Sequence, residues 1–363
     1  MSTIKMQDYI VQGQNIFVGL EDSKRTWRVA VRSGGILIHQ ARMPMGYPNL
    51  IGYFKNKFPK CKITLIYEAG FHGFWLHDLL KKDGIECIVT PPHRVTEEKT
   101  SRVKTDPRDA RRLAKNLENN DYKACFVPDR ERREDRQISR RLEDQQHNIV
   151  RTRNQIWKML DFHGIGVKFA GKYPTTKDIR RLRELPLPEE LARAMKSYLD
   201  HLEFLWKDVL ELRAQLRAMT EKQRYKKTFA IIHSVPGIGW FTAIRLVLEW
   251  GEDLTRFANK RKLASFLGLT ASEYSTGESV RRGSLTGLGH QRSRSWLIEC
   301  CWISIRKDPI LLKHYMAVFR NTGSKKKAIV ATARKLAGRI LRCVTLGQPY
   351  TVGLVAAGGE ASD

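Results

Sequence analysis

The sequence has none of the long apolar segments that span a membrane. We find no run of about 18 apolar residues, and the N-terminal region has no basic segment followed by an apolar one. We therefore expect a protein that is neither secreted nor embedded in a membrane. Zinc and disulfides are also unexpected, because the six cysteines include no C-x-x-C pair and the ten histidines show no metal-ligand spacing.

Acidic residues are scarce. The chain has 38 of them against 65 Lys and Arg, which gives a net charge of +27, and the excess is spread along the sequence rather than confined to one tail. A surplus of this size favours a polyanionic partner, which in a chain without membrane segments is nucleic acid. At 363 residues the chain is long enough for two or more domains.

The first third predicts an α/β sheet that is covered on both faces. Runs rich in Val, Ile and Leu alternate with helical patterns, and turn residues separate them. We predict strands at 16–24, 26–31, 36–38, 63–70 and 86–90, and helices at 48–58 and 73–82. This alternation is typical of an α/β domain.

Acidic residues stand where such a domain binds its ligands. Glu21 and Glu68 end predicted strands, while Asp106 and Asp109 lie three residues apart in the first turn of a helix that Pro107 opens. Like charges gathered at one spot repel unless a cation neutralises them, and Mg²⁺ prefers oxygen ligands. The alternative is that each acid caps a helix or pairs with a surface arginine.

Two long amphipathic helices are predicted in the middle of the chain, at 129–160 and 189–224. Their apolar residues recur at coiled-coil spacings. The segment 161–188 between them is rich in Gly, Pro and basic residues, and it predicts a loop at the tip of a helical hairpin. The hairpin packs either within one chain or between two chains, and we favour dimerisation.

Segment 232–239 predicts a turn that exposes backbone N–H groups. Gly237 and Gly239 belong to a Pro-Gly-x-Gly sequence in front of a helix predicted at 240–250. Such a turn can hold a DNA phosphate in the manner of a helix-hairpin-helix motif. The alternative is a simple connection between two helices.

Residues 273–287 differ in kind from the rest of the chain. Hydroxyl groups, glycines and arginines alternate there with almost no core residues, so the segment is either a solvated loop or a surface shaped for phosphates. A hydroxyl nucleophile attacking a phosphodiester needs cations and backbone donors of this kind. The basic residues that we assign to nucleic-acid binding are Lys104, Arg281, Arg282, Lys325, Lys326 and Lys327.

Together these pieces resemble one family, the DEDD-type insertion-sequence transposases and Piv-like DNA invertases, which are regarded as bridge-RNA- or seek-RNA-guided recombinases. Each motif is weak alone, but together they are specific, follow the family's order and cover nearly the whole chain. The matching motifs are Val18-Gly19-Leu20-Glu21, Tyr67-Glu68-Ala69-Gly70, Lys104 to Ala110, Val235-Pro236-Gly237-Ile238-Gly239, Leu267-Gly268-Leu269-Thr270, Tyr274-Ser275-Thr276-Gly277 and Arg281-Arg282-Gly283.

The resemblance implies a fold class of α/β plus α. An N-terminal RuvC-like (ribonuclease-H-like) domain would be followed by a long coiled-coil hairpin and a mostly helical C-terminal transposase domain with a helix-hairpin-helix-like turn. The corresponding segments are a polar lead-in at 1–14, then 15–128, 129–226 and 227–350, and a disordered tail at 351–363.

The resemblance also implies four acids, Glu21, Glu68, Asp106 and Asp109, around Mg²⁺. The family has Asp where this chain has Glu21, so either the longer Glu21 or the neighbouring Asp22 is the first ligand.

The nucleophile that the resemblance implies is a hydroxyl near residue 276. The family has a serine before a glycine in a Tyr-x-Ser-Gly pattern; this chain has Thr276 there, with Ser275 adjacent and Ser279 three residues further on. The β-branched hydroxyl of Thr276 would be more hindered than that of a serine. A shift by one residue makes Ser275 the nucleophile, and a third interpretation is a copy impaired in strand transfer.

As a mechanism, the resemblance implies a dimer, pairing to a tetramer, that holds a structured non-coding guide RNA whose loops pair with donor and target DNA. The acids of one protomer with Mg²⁺ and the hydroxyl of another would cut and rejoin DNA through a covalent protein–DNA intermediate. The expected location is the bacterial cytoplasm, on the nucleoid when DNA is bound. Two other classes stay open: a metal-dependent, junction-resolvase-like nuclease in which water attacks, and a non-catalytic nucleic-acid-binding protein.

Overall fold

The computed structural model describes residues 13–92, 106–167, 174–276 and 279–353. The chain divides into two compact units, Met1–Pro128 and Asp129–Asp363, and each has hydrophobic cores of its own. In the described part of the chain, no helix combines the length and the apolar character needed to cross a membrane. All six cysteines are free thiols.

The first unit contains a five-stranded mixed sheet. Its strands are β1 (Asn15–Asp22), β2 (Thr26–Ser33), β3 (Ile36–Pro44), β4 (Lys62–Glu68) and β5 (Glu86–Thr90). They lie in the order β3–β2–β1–β4–β5. The first three strands run antiparallel as the predicted meander, and β4 and β5 run parallel to β1.

Helices cover both faces of this sheet, as predicted. α1 (Tyr47–Lys57) and α2 (Trp75–Lys82) lie on one face, on a core that includes Val18 of β1. α3 (Asp106–Glu118) lies on the other face, where its Leu113 packs against Ile66 of β4. The arrangement is compatible with a ribonuclease-H-like DEDD domain.

The second unit begins with two long helices, α4 (Arg130–Phe162) and α6 (Glu189–Met219). They pack against each other through a buried core to which Ile156 and Leu199 belong. Asp129 caps α4 by accepting a hydrogen bond from the backbone N–H of Arg132 at 2.9 Å. Both predicted long helices are therefore present, while dimerisation through them stays a prediction.

The segment between these helices contains α5 (Thr176–Arg183), so the prediction of a loop over 161–188 is wrong in part. A capping box starts this helix: the Asp178 carboxylate accepts from the Thr175 N–H at 2.6 Å, and the Thr175 hydroxyl accepts from the Asp178 N–H at 3.2 Å. Ile179 and Leu182 then bury the helix in the core of α4 and α6.

The remainder of the second unit is a helical core with one strand hairpin. Its helices are α7 (Gln223–His233), α8 (Trp240–Trp250), α9 (Lys260–Phe266), α10 (Gln291–Ser304), α11 (Pro309–Thr322) and α12 (Lys325–Leu346). α8 is buried from Ala243 to Trp250. α6 ends at Met219 rather than at 224, so the expected end of the coiled-coil hairpin at 226 falls inside α7.

Residues 271–285, most of which the sequence suggested to be a loop or a phosphate-binding surface, form an antiparallel hairpin. Its strands are β6 (Ala271–Thr276) and β7 (Ser279–Leu285). The sequence pattern did not predict strands because both segments are mostly polar and show no regular alternation of apolar and polar residues.

Candidate active site

Two of the predicted acids end neighbouring parallel strands on the same face of the sheet. Leu20 of β1 pairs with Tyr67 of β4, so Glu21 and Glu68 occupy the next positions side by side. Residues two apart in a strand share a face. Glu21 comes two residues after Gly19, which contacts α3. Glu68 comes two residues after Ile66, which packs on α3. Both acids therefore lie on the α3 face, at the carboxyl ends of their strands.

The helix α3 brings Asp109 to this end of the sheet. Near the C-terminus of α3, Glu118 accepts from Arg32 Nε at 2.7 Å, and Arg32 lies beside the start of β1. The N-terminus of α3 therefore lies over the end of β1, where Glu21 stands. Asp106 is the first residue of the helix, but its side chain lies outside the described part of the structure.

A single guanidinium group joins two of the acids. Arg112 Nη2 lies 3.2 Å from Glu68 Oε1 and 3.1 Å from Asp109 Oδ1. Because both oxygens approach one nitrogen, the two carboxylates converge on one point. A point where carboxylate oxygens meet a cation has the donor chemistry that Mg²⁺ requires. In the described part of the chain, no group of three or more potential metal ligands is present.

Asp22, the alternative first ligand, lies on the opposite face of the sheet. Its carboxylate is 3.0 Å from Nδ1 of His72, in the loop after β4, and only 8% of the residue is exposed. Burial raises the pKa of Asp22 above its usual value, and the hydrogen bond from His72 only partly offsets this. Trp27 and Trp75 stack beside this pair, with ring centroids 6.1 Å apart.

The hairpin β6–β7 carries the candidate nucleophiles at its tip. Thr276 pairs with Ser279 and Ser275 with Val280, in the last register positions before the turn. Gly277 and Glu278 of the turn lie outside the described residues, as do the side chains of the three hydroxyl candidates. The side chains of Arg281 and Arg282 are likewise outside the described part, although both residues belong to β7.

The base of this hairpin is fixed to the helical core. The His290 N–H donates to the Phe266 carbonyl at 2.6 Å, and the Thr286 N–H donates to the Thr270 carbonyl at 3.1 Å. A Cβ atom at Gly268 would lie 2.1 Å from the Leu288 carbonyl oxygen, so only glycine permits this close approach. The hydroxyl candidates therefore stand at the end of a hairpin whose base is rigidly held.

A buried carboxylate links the base of the β6–β7 hairpin to the long helix α4. Glu249 of α8 lies 3.2 Å from Arg136 Nε of α4 and 3.3 Å from Nε2 of His290, directly before α10. Burial acts to raise the pKa of Glu249, but the hydrogen bond with His290 and the charges of Arg136 and Arg140 outweigh it and lower the pKa to about 2. The role of Glu249 was not predicted from the sequence, although charged residues such as Glu249 and Arg245 in the mostly apolar α8 are a signal for buried ion pairs.

Among the other residues predicted to bind nucleic acid, Gly239 and three lysines lie at helix starts. Gly239 caps α8 and is exposed, whereas Gly237 packs so closely on α10 that a Cβ there would lie 2.8 Å from the Cys300 carbonyl oxygen. Three exposed lysines, Lys325, Lys326 and Lys327, form the first turn of α12. Positive charges in the first turn of a helix interact unfavourably with the helix dipole, so a bound anion would offset the free energy that these lysines cost. Lys104 lies outside the described residues.

Two family models match the chain. One, described as "Transposase IS116/IS110/IS902 family", matches residues 229–316, and the other, a transposase model for DEDD proteins of the IS110 type, matches residues 18–165. The first match includes the base and strands of the β6–β7 hairpin. The second contains Glu21, Glu68, Asp106 and Asp109.

Several curated proteins are similar to this chain over much of its length. A protein of Sinorhizobium fredii described as a transposase, y4rJ, is 28% identical over 92% of both chains. The transposase for insertion sequence element IS1533 of Leptospira borgpetersenii is 23% identical over 65% of this chain and 70% of its own. The pilin gene-inverting protein of Moraxella lacunata is 28% identical over 43% of this chain and 49% of its own.

These matches agree with the motifs from which the resemblance was inferred, and they cover both the acid-bearing domain and the hairpin-bearing domain. The chain belongs to the IS110-type family of DEDD transposases and Piv-like invertases, and it is a DNA transposase or recombinase.

Proposed function

We propose that this transposase cuts and rejoins DNA with Glu21, Glu68, Asp106 and Asp109 around Mg²⁺ and with a hydroxyl group of the β6–β7 hairpin as nucleophile. The observation that carries the proposal is the convergence of Glu68 and Asp109 on one nitrogen of Arg112. Carboxylates held this close repel each other unless a cation lies between them. Arg112 supplies that cation in this structure, and its position between the two carboxylates supports the proposal that a divalent ion binds there.

We assign Glu21, and not Asp22, as the first acid. Glu21 shares the α3 face with Glu68, whereas Asp22 is buried on the opposite face against His72. A carboxylate on that face would have to leave its partner and cross the sheet to reach Asp109. The longer side chain of glutamate also extends further from β1 than that of the usual aspartate.

The acids would hold Mg²⁺, which when bound polarises a phosphate oxygen and offsets the charge that develops during attack. In this structure Arg112 holds Glu68 and Asp109 facing each other through an ion pair with each. Because the two acids come from a strand end and a helix packed on the same sheet, their separation is set by rigid elements.

The covalent step would proceed through the tip of the hairpin. The hydroxyl of Thr276 or Ser275 would lose its proton as its oxygen attacks phosphorus, and the bond from phosphorus to one DNA oxygen would break. That oxygen would leave as a DNA hydroxyl after gaining a proton, so the step has no net change in protons. The phosphoester to the protein conserves the bond energy, so a DNA hydroxyl can reverse the step and rejoin the strands. The rigid base of the hairpin supports precise delivery of the hydroxyl.

The test is a search for the covalent protein–DNA adduct on denaturing gels, with element-end DNA, Mg²⁺ and the RNA that co-purifies with the protein. We expect an adduct with the wild-type chain and none with the double variant Ser275→Ala/Thr276→Ala or with Asp109→Asn; the single hydroxyl variants identify the nucleophile. Ser284→Ala, an exposed hydroxyl on the same hairpin, and Glu86→Gln, at the other end of the sheet, are the controls.

Each rival function gives a different result in the same assay. Cleavage without any adduct would contradict the hydroxyl nucleophile and indicate a metal-dependent nuclease in which water attacks. DNA binding with neither cleavage nor adduct would indicate a binding protein. An adduct that survives the double hydroxyl variant would disprove the assignment to residues 275 and 276.

We further propose that the active assembly is a dimer, pairing to a tetramer, that holds a guide RNA. The charge of +27 and the exposed lysines of α12 support a nucleic-acid partner in addition to the cut DNA. Sequencing of RNA that co-purifies with the protein is the test. An element-encoded RNA with two pairing loops is expected, whereas preparations that are active and free of RNA would contradict guidance.

A further inference from the structure

Two arginines continue the line of acids across the α3 face of the sheet. Glu21 of β1 pairs directly with Arg28 of β2, and Arg28 pairs directly with Arg42 of β3. Cross-strand partners lie on the same face. With neighbouring strands about 5 Å apart, Arg28 is one strand and Arg42 two strands away from Glu21. The row therefore reads Glu68, Glu21, Arg28, Arg42, with negative charge at one end and positive charge at the other.

A cavity of about 150 Å³ opens between these arginines and α3. Arg28, Gln40 and Arg42 line it from the sheet, and Pro107 and Ala110 line it from the first turns of α3. The described lining includes no carboxylate. Gln40 Nε2 is buried and donates to no acceptor in the described part of the chain. The cavity thus presents guanidinium and amide N–H groups next to the acids.

A nearby arginine on the same face behaves differently. Arg32, four residues beyond Arg28 on β2, donates to Glu118 of α3 at 2.7 Å and so fastens the helix to the sheet. Arg42 is exposed and makes no ion pair with any described residue. The ion pair with Glu118 gives Arg32 a structural role. No ion pair with a described residue gives such a role to Arg42, which lies beside Arg28 at the end of the row.

We propose that Arg28, Gln40 and Arg42 bind a phosphodiester of the DNA strand, adjacent to the phosphate that lies at the acids. This inference rests on the proposed function, because it takes the acids as the site of cleavage. A DNA strand that approaches several carboxylates is repelled, and cations beside them offset that repulsion. The planar guanidinium of arginine matches phosphate oxygens in a bidentate manner, and the Gln40 amide supplies a neutral donor.

The first test measures equilibrium binding of fluorescently labelled duplex DNA of mixed sequence to the full-length chain in Mg²⁺, over a series of salt concentrations. We expect Arg42→Ala to weaken binding about tenfold, the usual size for the loss of a charged hydrogen bond. The slope of log K against log salt should fall by about 1, since one phosphate contact is removed. Arg42→Lys, which keeps the charge, should restore the slope but not the full affinity.

The matched control is Lys55→Ala. Lys55 is an exposed cation on α1, on the other face of the same sheet, and its loss also lowers the net charge by one. If Arg42→Ala weakens binding no more than Lys55→Ala, the proposal is wrong. Because Arg42 is exposed, its variants should keep the wild-type melting temperature; should Arg28→Ala fail to fold, Arg42→Ala still decides the question.

A second arm uses single-stranded RNA of the same sequence as the probe. A larger loss of RNA binding than of DNA binding in Arg42→Ala would overturn the assignment to the DNA strand. The binding assay does not depend on cleavage. If the wild-type chain forms no covalent adduct while Arg42→Ala still lowers the salt slope, the phosphate subsite stands and the nucleophile proposal fails.

Discussion

At the scale of single residues, Gly19 sets the distance between the acids of the sheet and the acid of α3. A Cβ atom at this position would lie 2.1 Å from the Ala110 carbonyl oxygen and 2.4 Å from the Ala114 nitrogen. Both are backbone atoms, which no side-chain rotation can move away. The absence of a side chain at Gly19 therefore lets α3 lie close enough for Asp109 to face Glu68.

We expect Gly19→Ala to push α3 away from the sheet and to separate Asp109 from Glu68. The free energy of unfolding should fall by about 1–3 kcal/mol, as for other overpacked cores. Adduct formation should slow about 100-fold, because a displacement of this kind misplaces the reacting groups. Denaturant unfolding and the denaturing-gel assay measure the two effects.

The control for this prediction is Gly52→Ala, since Gly52 lies within α1 and has open space around its Cβ position. Alanine there should leave stability unchanged or raise it slightly. An adduct rate in Gly19→Ala equal to that of the wild-type chain would show that the spacing of α3 does not matter for the site.

The positions of Glu21, Glu68 and Asp109 could be predicted from the sequence. The reason is that strand ends and a helix start marked by proline have clear sequence signals. The face occupied by Asp22 was not, since shifting a strand register by one residue exchanges the two faces. Arg112 was also missed. One arginine among many on α3 gains its role only from the fold, which brings β4 beneath it.

At the scale of elements, the most consequential contact is the one between α4, α8 and the start of α10 at Glu249. Arg136 of α4 also donates to the Leu248 carbonyl at 2.8 Å and to the Glu249 carbonyl at 2.9 Å. Arg136 therefore attaches α4 to the last turn of α8 through two backbone carbonyls and the Glu249 carboxylate. Through His290 the same carboxylate reaches the hairpin base.

We expect Glu249→Gln to destabilise the chain by about 3–5 kcal/mol at neutral pH, because it leaves buried arginines without their counter-charge. The pKa of Glu249 is about 2 in the folded chain and near 4.5 when unfolded. Its stabilising effect is therefore full above pH 4.5 and is lost as the pH falls towards 2. Urea unfolding of both proteins at neutral and acid pH measures this.

In Glu249→Gln, residue 249 cannot be protonated, so it does not contribute to destabilisation by acid. The difference in free energy of unfolding between the variant and the wild-type chain should therefore become smaller at low pH. The control is Glu299→Gln on the exposed side of α10, which should change stability by no more than about 0.5 kcal/mol. Equal stability of Glu249→Gln and the wild-type chain at neutral pH would contradict the role that we give to this carboxylate.

Most elements were predictable because their apolar periodicity is strong, as in β1, α4 and α6. The failures have local causes. α5 is only eight residues long and lies among glycines, prolines and basic residues, so its capping box at Thr175 was overlooked. The segments of β6 and β7 are mostly polar in sequence, and their pairing depends on hydrogen bonds that a sequence pattern does not reveal.

At the scale of the whole molecule, the two compact units have separate cores. We expect residues 129–363 to fold alone and to unfold cooperatively on heating, because this unit has hydrophobic clusters built from its own residues. A fragment of residues 151–363, which cuts α4 and removes Arg136, should lose this transition. Circular dichroism of both fragments checks the prediction, and absence of a transition in the longer one would contradict it.

The central claim is that the ends of β1 and β4 and the start of α3 together hold a divalent ion. The most direct test replaces Mg²⁺ by Fe²⁺ and uses ascorbate and peroxide, so that hydroxyl radicals cut the backbone near the bound ion. We predict cuts around residues 21, 68 and 106–109, suppressed by excess Mg²⁺ and absent in Asp109→Asn. Cuts confined to other segments, or cuts that persist unchanged in Asp109→Asn, would contradict the claim.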